Sequence, residues 1–155
     1  MLKRYFCCKN TKKSRQLRVL THATNDIKLF NLNKKKFKAK VVDIHDGHNL
    51  KVVFYINDDI LVKFKLRMLG YNSPNIHSRN GIEKINGVKS RDFLKKCVEY
   101  KIVDLHCGEF DKNGKLCGII YCDNININQL MIDSGNGIAH IKNNRSSYNK
   151  LNKLL

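Results

Sequence analysis

The sequence predicts an α+β fold: a small, partly open Greek-key barrel of five short strands with a helix inserted after the third. Three observations lead there. Two groups of β-like runs are punctuated by tight-turn residues. A single stretch between them has helical spacing of apolar residues. The segment containing all of these is nearly balanced in charge, while both ends of the chain are strongly basic.

The runs "FKAKVVDI" and "NLKVVFYI" flank "HDGH", whose Asp46-Gly47 is a strong hairpin signal. A third run, "ILVKFKLRML", follows the polar turn Asn57-Asp58-Asp59, so a three-stranded meander is expected. Pro74, the only proline, ends the strand region because the residue before proline avoids helical geometry. A polar connection is expected to run to about Asn86. In "GVKSRDFLKKCVEY", Val88, Phe93, Leu94, Cys97 and Val98 recur at helical spacing. "KIVDLHC" and "KLCGIIYC" read as two further strands around the turn Asp111-Lys112-Asn113-Gly114, and "INQLMIDSG" as a short helix closed by Gly135. Barrels of this type, the OB fold, commonly hold single-stranded nucleic acid on their surface.

Charge locates the partners. The chain carries 30 Lys and Arg against 13 Asp and Glu, net +17. Residues 1–36 hold +10 of this, residues 142–155 hold +4 and the middle only +3. The expected organisation is a flexible basic arm (1–36), a folded domain (37–141) and a basic tail (142–155). Arms that seek polyanions imply DNA or RNA as partner, and Lys12, Lys13, Arg15, Lys34, Lys35 and Lys36 are the arm candidates. An anionic membrane surface is the alternative, because Cys7 and Cys8 beside Lys3, Arg4 and Lys9 resemble a lipidation site next to a basic patch. No apolar run reaches the roughly 20 residues that span a bilayer, and the first ten residues lack a secretory apolar stretch. A soluble, intracellular, cytoplasmic and by default monomeric protein with reduced thiols is expected, since six cysteines without framework spacing do not make a disulfide scaffold.

The successive segments "VVDIHDGHNLKVVF", "RMLGYNSPN", "GVKSRDFL", "FDKNGKL" and "INQLMIDSG" resemble, in order and separation, the thermonuclease (staphylococcal nuclease-like) family. The style is that of the short versions carried by large DNA viruses, and abundant Lys, Asn and Ile suit an AT-rich genome. The resemblance implies a five-stranded OB barrel with about three helices. It also implies calcium-dependent hydrolysis of DNA and RNA phosphodiesters. Carried over position by position, that chemistry meets four departures. The family's Asp-Gly-Asp reads Asp46-Gly47-His48, so one calcium ligand is an imidazole. Its Arg-Leu-x-Gly-x-Asp-x-Pro-Glu reads Arg67-Met68-Leu69-Gly70-Tyr71-Asn72-Ser73-Pro74-Asn75. The second ligand position is therefore Asn72 and the base position Asn75, while Arg67 is retained. Its Asp-Lys-Tyr-Gly-Arg reads Asp111-Lys112-Asn113-Gly114-Lys115, which makes the second phosphate clamp a lysine.

Calcium takes oxygen ligands and binds more tightly as their negative charge rises, so His48 and Asn72 are poor replacements and no metal is expected here. An amide at Asn75 has no basic lone pair with which to activate water. Lys115 lacks the planar fork that arginine offers a phosphate. Arg67 with Lys115 and Lys112 nonetheless makes a cationic pocket suited to a backbone phosphate. The expected function is thus a nucleic-acid-binding pseudo-nuclease. The alternatives are an active or weakly active nuclease with an altered metal site, and a membrane-tethered interaction protein. His45, Asp46 and His48 are conceivable ligands for a softer metal. His106, Cys107, Cys117 and Cys122 are conceivable zinc ligands, against the simpler expectation that strand cysteines fill the core.

Overall fold

A computed structural model of the chain describes residues 11–140. Cys7, Cys8 and the tail 142–155 lie outside the described residues. The described residues divide into two compact units, one ending at Phe30 and the other beginning at Asn31.

In the first unit, α1 spans Lys12–Thr21. Lys, Arg, Gln and Leu favour helix, and Thr11 caps the N-terminus by accepting from the Ser14 N–H. None of the helix residues is buried.

The second unit runs β1 (Lys36–Ile44), β2 (Asn49–Asn57), β3 (Ile60–Met68), β4 (Tyr71–Asn72), α2 (Gly81–Val98), β5 (Ile102–Phe110), β6 (Leu116–Cys122), β7 (Ile125–Asn126), α3 (Ile127–Asp133) and β8 (Ile138–Ala139). β1, β2 and β3 form the expected antiparallel meander. The sheet order is β3-β2-β1-β5-β6-β7. Parallel pairing of Leu66, Arg67 and Met68 with Leu116, Cys117 and Gly118 closes the five long strands into a mixed barrel. With α1, α2 and α3 this is the α+β, OB-type architecture that the sequence predicts.

Alternation decides the core. Leu50, Val52 and Phe54 of β2 and Leu66 and Met68 of β3 point inward and are buried, and their odd-numbered neighbours face outward. Leu94 and Val98 of α2 and Ile127 and Met131 of α3 cover the same core. Cys107 and Cys122 are buried within it, as core-filling strand cysteines should be.

The parallel seam depends on two residues. A Cβ at Gly118 would stand 3.2 Å from Leu66 Cδ1 across the parallel seam, and 2.9 Å from Leu105 Cδ1 and 3.0 Å from the His106 carbonyl oxygen on β5, so only glycine lets β6 fit between its two neighbours. Asn128 is buried with its amide fully used. It donates to the carbonyls of Leu69 (2.9 Å) and Gly118 (3.1 Å) and accepts from the Ile120 N–H (3.0 Å). One side chain of α3 thereby staples β6 to the segment that follows β3.

Two boundaries differ from expectation. The barrel unit begins at Asn31 rather than Phe37: Leu32 is wholly buried, and the backbone of Lys34 and Lys35 bonds to Cys107 on β5. The basic side chains of Lys34, Lys35 and Lys36 are exposed, which conceals this docking from a charge count. α2 begins at Gly81, not near Asn86, because Asn80 caps it by accepting from the N–H groups of Ile82 and Glu83. Its first turns lie in solvent with Ile82 and Ile85 exposed, so they lack an amphipathic signature.

Candidate nucleic-acid interface

The outward face of β2 and β3 ends in a cluster of cations. Arg67 lies opposite Asn49 in the antiparallel register and beside Cys117 in the parallel one. Its Nη2 donates to Asn72 Oδ1 at 2.7 Å. Lys115 Nζ donates to Asn49 Oδ1 at 2.9 Å, which brings the cation of the β5–β6 turn to the same place. That turn is built by Asp111, whose Oδ1 accepts from the N–H of Asn113 and of Lys115, with Gly114 in the left-handed region at φ 72°.

His48 closes the pocket from the β1–β2 loop. Asp46 Oδ1 accepts from the N–H of His48 (2.9 Å) and of Asn49 (2.7 Å), and its Oδ2 from Asn49 Nδ2 (2.8 Å). Gly47 is required by close approach rather than by an unusual φ, because a Cβ there would fall 2.0 Å from Ser90 Oγ and 2.6 Å from Ser73 Cβ. Tyr71, fully buried, donates its hydroxyl to the Gly47 carbonyl at 2.7 Å and fixes the loop from beneath.

The Ser73 N–H donates to His48 Nδ1 at 3.2 Å and Ser73 Oγ lies 2.6 Å from the same nitrogen. A backbone donor on Nδ1 requires that atom to be unprotonated, so the ring is neutral with its proton on Nε2. The 3.4 Å approach of Asp46 Oδ1 to Nδ1 is then no ion pair. Burial holds the imidazole below its ordinary pKa; Asp46 opposes this, and the charges of Arg67, Lys115 and His140 reinforce it. Burial works against the Asp46 carboxylate too, but hydrogen bonds from His48 and Asn49 outweigh it and its pKa is lowered.

The structure therefore brings together Arg67, Lys115, His48 and Asn72. It does not add Asn75, whose N–H donates to Glu83 Oε1 in the first turn of α2 and whose Oδ1 accepts from the His77 N–H within its own loop. Lys112 is exposed in the β5–β6 turn. Lys12, Lys13 and Arg15 lie on α1, in the other unit, and Lys34, Lys35 and Lys36 at the start of β1. His140, Asn49 and Ser73 belong to the site and were not singled out from sequence. Only Asn49 had a legible signal, its place opposite Arg67 in a hairpin centred on the β2–β3 turn.

These residues do not fit calcium. Asn72 spends its oxygen on the Arg67 guanidinium, His48 offers nitrogen, and Asp46 has both oxygens engaged by the loop. Nor, among the described residues, do three or more His, Cys, Asp or Glu side chains gather as metal ligands would. His45 lies against His77 instead, with ring centroids 5.8 Å apart.

The family described as "Staphylococcal nuclease homologue" matches residues 65–155. In rice (Oryza sativa subsp. japonica), the proteins named "Probable staphylococcal-like nuclease CAN3" and "Probable staphylococcal-like nuclease CAN2" are each 30% identical to this chain over 91 residues, 58% of its length. The aligned part spans 22% and 23% of those relatives. The match takes in Arg67, Asn72, Lys115 and the Asn128 staple, whereas β1, β2 and His48 precede it. The family match covers more than half of the chain and the closed barrel agrees with it, so the chain belongs to the staphylococcal nuclease homologue family.

Proposed function

We propose that this chain binds DNA or RNA through a backbone phosphate at Arg67 and Lys115 and has lost calcium-dependent hydrolysis. One observation carries the reading: Arg67 is held by the neutral amide of Asn72, so its charge is oriented without being cancelled. Lys115 is likewise held by the neutral Asn49. Two oriented cations facing a neutral imidazole favour an anion without a metal.

A second reading, a phosphodiester hydrolase with another metal, draws on Glu83. Its carboxylate accepts from the Asn75 N–H and from Ser78, and these bonds lower its pKa, so it stays ionised near the base position. Tethering to an anionic membrane through Cys7 and Cys8 remains a separate reading of the arm.

The deciding experiment measures cleavage of plasmid and single-stranded substrates in calcium, manganese and zinc, alongside binding by fluorescence anisotropy. Binding abolished by Arg67→Ala with no cleavage in any metal is the expected result. Cleavage that Arg67→Ala or Glu83→Gln removes establishes the hydrolase instead.

A further inference from the structure

Two histidines outside the pocket meet across the gap between two loops. His45 opens the β1–β2 loop, and His77 lies midway along the connection from β4 to α2. Their ring centroids are 5.8 Å apart and the ring planes are inclined at 40°. Both residues are exposed, and neither ring forms a hydrogen bond among the described residues.

The backbone on each side is fixed. The N–H groups of His45 and Asp46 both donate to the Asn49 carbonyl, at 2.9 and 3.3 Å, and close the loop that carries His48. Opposite them, the His77 N–H donates to Asn75 Oδ1 at 2.9 Å and the Ser78 N–H to the Asn75 carbonyl at 3.2 Å. This second loop is also pressed against α2, since a Cβ at Gly87 would stand 2.8 Å from the Ile76 nitrogen and 2.9 Å from the Pro74 carbonyl oxygen. Only the side-chain torsions of the two rings are left to adjust, which lowers the entropy cost of holding one ligand between them.

The carboxylates of the same two segments are already engaged. Asp43 pairs with Lys51 at 2.7 Å, and Glu83 accepts from Ser78 and from the Asn75 N–H. The donor set at the gap is therefore two imidazoles, and water can complete a metal's shell at so exposed a position. Imidazole suits zinc, copper and nickel, whereas calcium takes oxygen. Two imidazoles that share one ion at about 2.0–2.1 Å per nitrogen set their centroids about 5–6 Å apart. The observed 5.8 Å lies within that range.

We propose that His45 and His77 form a two-histidine site for a divalent transition-metal ion, zinc in the first instance, that clips the β1–β2 loop to the β4–α2 loop. The site shares no residue with the Arg67–Lys115 pocket and does not depend on the phosphate-binding reading. Its effect reaches the pocket all the same, because the clipped loops are those that carry His48 and Ser73, which are in contact.

The test uses the full chain, metal-free and with zinc or calcium, read by NMR of the histidine ring protons, which the variants themselves assign. On addition of zinc the His45 and His77 signals should shift together with one midpoint, and calcium should move neither. His45→Ala should abolish the response of His77, and His77→Ala that of His45. Either change should weaken zinc at this site at least about tenfold, no less than the loss of an outer-shell partner costs a metal centre. Because both residues are exposed, neither variant should lower the metal-free melting temperature, and zinc should raise that temperature more in the unmodified chain. Zinc held by cysteines instead would leave both ring signals in place and survive the two alanine substitutions together. That result, or a His45 response that His77→Ala leaves intact, would reduce the pair to a ring contact and overturn the site.

Discussion

Arg67 and Asn72 meet through a single 2.7 Å hydrogen bond in which the guanidinium is fully charged and its partner is not. Asn72→Asp converts that contact into an ion pair and fills the pocket with its own anion. Oligonucleotide affinity should fall about tenfold, the order of one charge-assisted hydrogen bond, and titration calorimetry would register it. The single change should not confer calcium-dependent cleavage. Only the combination of His48→Asp, Asn72→Asp, Asn75→Glu and Lys115→Arg is expected to do so, because such groups act as a unit. Cleavage by Asn72→Asp alone would show that the remaining positions are already competent.

Asn128→Ala strips the seam between β6 and the end of β3 of three hydrogen bonds and leaves buried backbone groups unpaired. The expected loss is on the order of 3 kcal/mol, seen as a lower urea midpoint with unchanged slope. Asn128→Asp should be no better, since a carboxylate cannot donate to the carbonyls of Leu69 and Gly118.

Two glycines should fail for different reasons. Gly47→Ala places a methyl group inside the contact with Ser90 and Ser73 and should cost about 1–3 kcal/mol through overpacking. It should also loosen nucleotide binding, since the loop carries His48. Gly114→Ala meets nothing within 4 Å but holds a φ of 72°, so its cost is the left-handed conformation alone, about 1–2 kcal/mol. Gly114→Asn, which tolerates that region, should recover part of the loss; thermal unfolding distinguishes the two.

Stability should decline on mild acidification. Burial depresses the His48 and His106 pKa values below their unfolded value, about 6.5 for a free imidazole. The unfolded chain then binds more protons than the folded one below that pH. Folding stability is consequently full above the unfolded value and is lost progressively as pH falls beneath it. Asp46, whose pKa is also lowered in the fold, contributes only further down, as pH drops past the ordinary carboxylate value of 3.8. Urea unfolding from pH 8 to 5 should therefore show a slope that His48→Gln reduces. An unchanged slope would place the imidazole in a solvated, unperturbed setting.

The strands and the C-terminal helix were legible because each carries a local signal, such as alternation at Leu50, Val52 and Phe54 or the closing Gly135 after α3. Barrel closure was not visible strand by strand. Leu66 and Leu116 are fifty positions apart and pair in parallel, and only the fold type implied the contact. The site was partly legible. Arg67 and Lys115 were placed by motif, whereas Asn75 turned into its own loop because nearby N–H groups competed for its oxygen. Ser73 and His140 have no signature, since their roles come from which atoms a closed barrel happens to bring beside His48.

The staple at Asn128 also bears on how the chain emerges during synthesis. β1, β2 and β3 are made first and can pair with one another at once, but the free edge of β3 finds its partner only after β6 has been translated, and the seam locks only when α3 follows. In that interval the nascent protein exposes an open strand edge of the kind that recruits other chains. Lys63 and Lys65 stand on that strand. Their charge discourages edge-to-edge pairing between neighbouring nascent chains until the ribosome has delivered the residues that close the barrel.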